Sequence, residues 1–178
     1  MRIISGKYKG RIITPPANLR ARPTTDFAKE NLFNVLNNLI DYEDCDVLDL
    51  FAGTGSISYE FASRGARSVT AVEVNSVHYN FIRETLRKLD MKNVYPVRAN
   101  SFLYIKGAKK TFDVVFADPP YDIEGSEELP EMIFSKGLLN KEGHFILEHS
   151  KNLEFRDQPY FYETRNYGSV HFSIFKNS

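Results

Sequence analysis

Four consecutive residues, Asp118-Pro119-Pro120-Tyr121, bring together a carboxylate, two residues without a backbone N–H and an aromatic ring. They follow Phe112–Ala117, an apolar run whose length suits a buried strand. Proline fixes φ and removes a donor, so Pro119 and Pro120 stiffen the loop and leave its carbonyls for a ligand. Such a loop suits a planar amino group. The lone pair of an exocyclic amine on a base is delocalised into the ring, which makes the nitrogen a poor nucleophile. The Asp118 carboxylate and the Pro119 carbonyl can accept its two N–H bonds and favour a more tetrahedral nitrogen. Catalysis of this kind is mostly alignment and preorganised charge. Tyr121 offers a ring to stack on the base. The plainer alternative is a strand-ending turn with a helix cap.

A second constellation lies upstream. The apolar stretch Asp46–Phe51 runs into Ala52-Gly53-Thr54-Gly55 and then into a helical pattern. Glycines at a strand-to-helix turn let the backbone approach a ligand closely. Glu73 ends the next strand, roughly 20 residues on, where a carboxylate can accept from ribose hydroxyls. Ser58 stands where a dinucleotide loop wants Gly or Ala. The layout Asp49-x-Phe51-x-Gly53-x-Gly55 therefore fits S-adenosylmethionine better than a dinucleotide. That molecule has no pyrophosphate and needs carboxylates instead: Glu73 for the ribose and Asp49 for the ammonium, directly or through water. Asn100 and Ser101, after the third strand, can meet the adenine edge or simply cap a helix. His78, His144, His149 and His171 show no metal-ligand spacing, and no metal is expected. His149 follows the fifth strand near this edge and reads as packing.

These residues need a frame. From residue 46 strands and helices alternate: strands 46–51, 68–74, 94–98, 112–117 and 144–148, with helices 57–63, 77–89, 102–105 and 127–134 between them. The succession implies a parallel sheet covered on both faces. Residues 160–166 and 169–176, joined at Tyr167-Gly168, read as a closing antiparallel hairpin. Ahead of the sheet, helical spacing spans Ala28–Ile40 after an N-cap at Thr24 or Thr25, with Phe27, Leu32, Val35, Leu36 and Leu39 as its apolar face. Residues 1–14 read as a small hairpin turning at Gly6 and Gly10. The expected fold is α/β, a Rossmann-like class I methyltransferase fold. Its mostly parallel seven-stranded sheet ends in an antiparallel hairpin and carries a small N-terminal β-hairpin. Two units follow: a basic hairpin and linker over 1–23, and the methyltransferase domain over 24–178.

Length and charge narrow the classes further. A chain of 178 residues is one domain with a full core. One cysteine, Cys45, rules out an internal disulfide framework. Without an apolar run of about 20 residues, a cytosolic setting is expected. Basic and acidic residues number 23 each, so nucleic-acid affinity must come from clustering. Arg2, Lys7, Lys9, Arg11, Arg20 and Arg22 fall in the first 25 residues with no acid among them, and Tyr8 sits at the turn. Cations interleaved with an aromatic suit phosphate contact and base stacking. Acids around 41–46 and 122–128 read as solvated faces.

The chain resembles the bacterial RsmD-type small-subunit rRNA guanine-N2 methyltransferases along nearly its whole length. The likeness rests on Arg2-Ile3-Ile4-Ser5-Gly6, Arg22-Pro23-Thr24-Thr25-Asp26 with Glu30-Asn31-Leu32-Phe33-Asn34, Leu48 to Gly55, Asp118 to Tyr121 and Tyr167-Gly168. The Arg-Pro-Thr-Thr-Asp segment is the narrowest of these. The resemblance implies S-adenosylmethionine as methyl donor and guanine N2 of 16S rRNA as acceptor, within the small subunit or an assembly intermediate. Some relatives carry longer basic extensions ahead of the hairpin. Arg22-Pro23-Thr24 is expected to fold back over the cofactor crevice. Other amino-methyltransferases, acting on adenine N6 or a glutamine amide, share the Asp-Pro-Pro-aromatic logic. A nicotinamide oxidoreductase is the more distant alternative.

Overall fold

The computed structural model describes residues 1–19 and 24–178. The contacts expected of Arg20 and Arg22 therefore lie outside the described residues.

Seven strands form one sheet: β1 (Asp46–Leu50), β2 (Ser68–Val72), β3 (Val94–Val97), β4 (Phe112–Ala117), β5 (Leu139–His149), β6 (Phe161–Tyr167) and β7 (Val170–Lys176). Their order is β3-β2-β1-β4-β5-β7-β6; β3 to β5 run parallel, and β7 pairs antiparallel with β5 and β6. Alternation along each strand divides the core in two. Val47, Val69, Ala71, Val114, Phe116 and Ile146 face one apolar cluster, which α1 (Asp26–Leu36), α2 (Ser56–Ser63) and α3 (Ser76–Leu89) complete. Leu48, Leu50, Val72, Val115, Ala117 and Leu147 face the other, under α4 (Ser101–Gly107) and α5 (Leu129–Ser135). The chain winds outward from β1 to β3, then crosses back to place β4 beside β1. Open α/β sheets open a crevice where the order reverses, at the carboxyl ends of the strands.

Some boundaries differ from the sequence reading, for local reasons. The first helix ends at Leu36, not Ile40. Phe27 is 65% exposed because the buried stripe runs through Ala28, Leu32, Phe33 and Leu36, leaving Phe27 on the outer side of the first turn. The fifth strand starts at Leu139, five residues before His144: the polar Asn140-Lys141-Glu142 resembles a loop but continues the strand through an irregularity, with Glu142 at φ 65°. The N-terminal hairpin is reduced to one antiparallel bridge, Arg2 with Ile12, in place of two strands. Its apolar residues Ile3 and Ile13 are nonetheless part of the first cluster.

Candidate active site

The strand registers set four carboxylates in a row. Asp49 pairs with Phe116 across β1 and β4, and Phe116 pairs with Ile146 across β4 and β5. Two residues on, Asp118, just past the end of β4, and Glu148, near the end of β5, fall on the same face as Phe116 and Ile146. Glu73 leaves β2 on that face by the same alternation. Glu73, Asp49, Asp118 and Glu148 thus stand on neighbouring strands, and all four line one cleft of about 680 Å³. Thr24, Phe51, Gly53, Asn100 and Ser101 line it too, as do Pro119, Pro120 and Tyr121. The structure brings together eleven of the twelve positions expected to bind cofactor or act on substrate. Gly55, the twelfth, is buried.

The turn after β1 explains the glycines. Phe51, Gly53 and Gly55 have φ of 58°, 58° and 90°, a left-handed path that turns the chain sharply into α2. At Gly55 a Cβ would sit 2.5 Å from the ring of Tyr59. Tyr59 is fully buried and its hydroxyl donates to the Thr54 carbonyl at 2.7 Å, holding the loop from beneath. From above, Glu73 accepts from Gly53 N at 2.7 Å and from Asn75 N at 2.9 Å. Ser101 Oγ accepts from Phe51 N at 3.2 Å, so this residue ties two loops together. Asn100 caps α4 through Leu103 N and remains exposed at the rim.

Asp49 is 1% exposed and accepts from Ser58 Oγ at 2.6 Å. That bond accounts for Ser58: the position needs a hydroxyl to hold a buried acid. Burial pushes the Asp49 carboxyl up to about 7, against the pull of the Ser58 bond and with a smaller push from Glu73. A cation brought into the cleft would favour the ionised form. At the far end of the row Thr24 Oγ1 donates to Glu148 Oε2 at 3.3 Å, and Glu148 is 5% exposed. Thr25, not Thr24, is the helix cap, accepting from Ala28 N at 3.1 Å. Pro119 is buried, Asp118 half-buried, and Tyr121 is exposed on the rim. His149 is spent on packing: Ser173 Oγ lies 2.7 Å from Nε2 and the Ser150 carbonyl 2.8 Å from Nδ1.

The N-terminal segment docks onto α2. Ile4 N and Ser5 N donate to the fully buried Glu60, at 2.9 and 3.1 Å. Arg64 Nε reaches the same carboxylate at 2.9 Å and Lys29 Nζ at 3.8 Å. Lys29 also donates to the Arg2 carbonyl at 2.6 Å and to Ser56 Oγ at 3.1 Å, the latter in the first turn behind the glycine loop. Gly6 is required at this junction, since a Cβ would lie 1.9 Å from the Ser63 carbonyl oxygen. Arg2, Lys7, Lys9 and Arg11 are exposed. Tyr8 is half-buried, its hydroxyl donating to the Asp90 carbonyl at 3.3 Å, with Lys7 Nζ 5.4 Å from its ring centre. That bond ties the basic turn to the C-terminal end of α3. Phe27, three residues from Thr24, is the exposed aromatic that sequence reading assigned to the core. Glu148, Lys29 and Glu60 were also missed. Each follows ordinary strand or helix patterning, and no local signal marks it.

Comparison with known proteins gives the same reading. The family described as conserved hypothetical protein 95 matches residues 1–176. Ribosomal RNA small subunit methyltransferase D of Buchnera aphidicola subsp. Baizongia pistaciae is 30% identical over 182 residues, covering 99% of this chain and 92% of that protein. A solved structure of the Escherichia coli methyltransferase yhhF superimposes with a TM-score of 0.87 at 28% identity, covering 100% of this chain and 98% of that one. The fold, at 19% identity and a TM-score of 0.70, is also that of the Thermus thermophilus 16S rRNA N2 G1207 methyltransferase RsmC, solved with AdoMet and guanosine; 89% of this chain and 45% of that one are covered. A Rossmann-like methyltransferase sheet with this cleft, matched end to end by that family model and relative, belongs to the conserved hypothetical protein 95 family, that of the RsmD-type rRNA methyltransferases.

Proposed function

We propose that the chain transfers a methyl group from S-adenosylmethionine to the exocyclic N2 of a guanine in 16S rRNA, within the small subunit or an assembly intermediate in the cytosol. One observation carries this reading. The acceptors suited to an amino nitrogen, Asp118 and the Pro119 carbonyl, share a cleft with the carboxylates suited to an ammonium and a ribose.

The residues present fit the methyl donor. Asp49 is a buried acid pushed up to about 7, so a positive charge beside it favours the ionised form, and Glu73 is a carboxylate at the second strand end. Asp49 would hold the ammonium, Glu73 the ribose hydroxyls, and Asn100 the adenine edge. S-adenosylmethionine supplies an electrophilic methyl group when bound. The remaining work belongs to the chain. Asp118 and the Pro119 carbonyl accept the two N–H bonds of the substrate amine and turn its lone pair toward the cofactor side of the cleft. Pro119 and Pro120 keep the loop from rearranging. Asp118 takes the proton that N2 releases as the product forms. Tyr121 stacks on the extruded base at the rim. The exposed Arg2, Lys7, Lys9 and Arg11 hold the RNA backbone. Arg20 and Arg22 join them in this reading. So does an aromatic contact from Tyr8.

Mass mapping of 16S rRNA from a strain lacking this gene tests the assignment. One N2-methylguanine disappears and returns on complementation. Persistence of every N2-methylguanine would refute it, and loss of a methyladenine would point to the adenine alternative. Titration calorimetry with S-adenosylmethionine and with NAD separates the methyltransferase from an oxidoreductase.

A further inference from the structure

The reading above assigns a ligand group to three of the four carboxylates in the row. Glu73 meets the ribose, Asp49 the ammonium, and Asp118 the reacting amine. The fourth, Glu148, is level with Asp118 on the next strand and faces the same cleft. It also borders a small recess on the far side of the Asp118 loop, lined by Pro119, Tyr121 and Leu153 among others. It therefore stands on the side of Asp118 away from the cofactor residues. In the proposed reaction, a base whose amine sits on Asp118 and Pro119 can lay its ring edge toward β5, where Glu148 lines the same cleft.

We infer that Glu148 reads the base, accepting the guanine N1–H while Asp118 and Pro119 hold N2. The inference rests on the proposed guanine-N2 reaction and names its specificity determinant. Guanine presents two neighbouring donors along that edge, N1–H and the 2-amino group. Two carboxylates on adjacent strands, roughly 5 Å apart at the backbone, are spaced to receive neighbouring donors. Adenine, and any purine lacking a proton at N1, turns a lone pair toward Glu148. A buried acceptor facing an acceptor is penalised far more than a missing methylene, so a single carboxylate suffices to discriminate. Thr24 positions Glu148 by donating to Oε2. Through that bond the segment entering α1 orients the base-reading group. No proton moves to or from Glu148 in this role.

The test uses 2-aminopurine, which keeps the 2-amino group but has an unprotonated N1. Once the target guanine is mapped, small subunits are reassembled with guanine or 2-aminopurine at that position. They are offered to the full-length protein with S-adenosylmethionine. The wild type should prefer guanine by roughly 100-fold or more in kcat/KM. Glu148→Gln presents an amide N–H to the unprotonated N1 and should shrink that preference to within roughly tenfold, with the Kd for S-adenosylmethionine unchanged. A wild type that methylates both bases equally overturns the inference and leaves the guanine reaction standing; this arm needs no variant to fold. A folded Glu148→Gln that keeps the full guanine preference, or loses both activities equally, overturns it too. A wild type that methylates neither base refutes the underlying reaction instead.

Discussion

Asp49 and Glu60 are both buried carboxylates, at 1% and 0% exposure, only eleven positions apart, yet their surroundings are opposite. Glu60 accepts from two backbone N–H groups and from Arg64, with Lys29 close by. Its charge is balanced by the protein itself, so it locks the N-terminal segment onto α1 and α2. Asp49 has the Ser58 hydroxyl and a like-charged neighbour in Glu73. Its charge is balanced by nothing on β1 or α2 that carries a positive charge. A buried acid surrounded by donors is structure, and one short of cations in the wall of a cleft is a candidate ligand site.

The comparison can be broken at several points. Glu60→Ala should have the largest effect, about 3–5 kcal/mol of stability in denaturant unfolding, because it strands two N–H groups and two cations. Adding Lys29→Met should recover part of it. A loss below about 1 kcal/mol would mean the latch is ornamental. Next comes Asp118→Ala, where kcat should fall roughly 10²–10³-fold while the Kd for S-adenosylmethionine holds. A parallel rise in that Kd would show that Asp118 belongs to the cofactor half.

Asp49→Asn gives the opposite sign to Glu60. The folded-state value of about 7 lies above the unfolded value, so the acid favours folding below about pH 4 and loses that advantage as pH rises to 7. The variant should therefore match or exceed wild-type stability at pH 8, while binding S-adenosylmethionine roughly tenfold or more weakly. In the wild type, affinity should fall as pH drops below about 7, toward tenfold per pH unit, because the ammonium must first expel a proton. The Asn variant should show a flat profile, and a slope there would assign the proton elsewhere. The smallest expected effect is at the surface. Lys7→Ala and Lys9→Ala should each reduce the salt slope of RNA binding by about 1, with stability unchanged.

What could be read from sequence follows the same divide. The glycine loop and Asp118-Pro119-Pro120-Tyr121 were legible as strand-end loops of one cleft because their signals are local, carried by residue types and spacing alone. Strand alternation gave the parallel sheet and its closing hairpin for the same reason. Glu148 and Glu60 were not legible, because each acquires its role from a neighbour that only folding supplies. Asp118 is 30 positions from Glu148, and Ile4 is 56 positions from Glu60. Phe27 was misread since one residue at the start of a helix can fall on either side of the stripe. Ser58 looked like a defect in a glycine pattern until its hydroxyl was seen on Asp49.

Gly6 carries one more consequence. Its close seat on the Ser63 carbonyl exists only after α2 has formed, and the hydrogen bonds to Glu60 require the same helix. Translation runs the other way, delivering Gly6 long before Ser63. Residues made before α2 are thus committed after it, and a nascent chain has its cations without their arrangement. The basic N-terminal segment therefore reaches its folded arrangement only once the second helix is made.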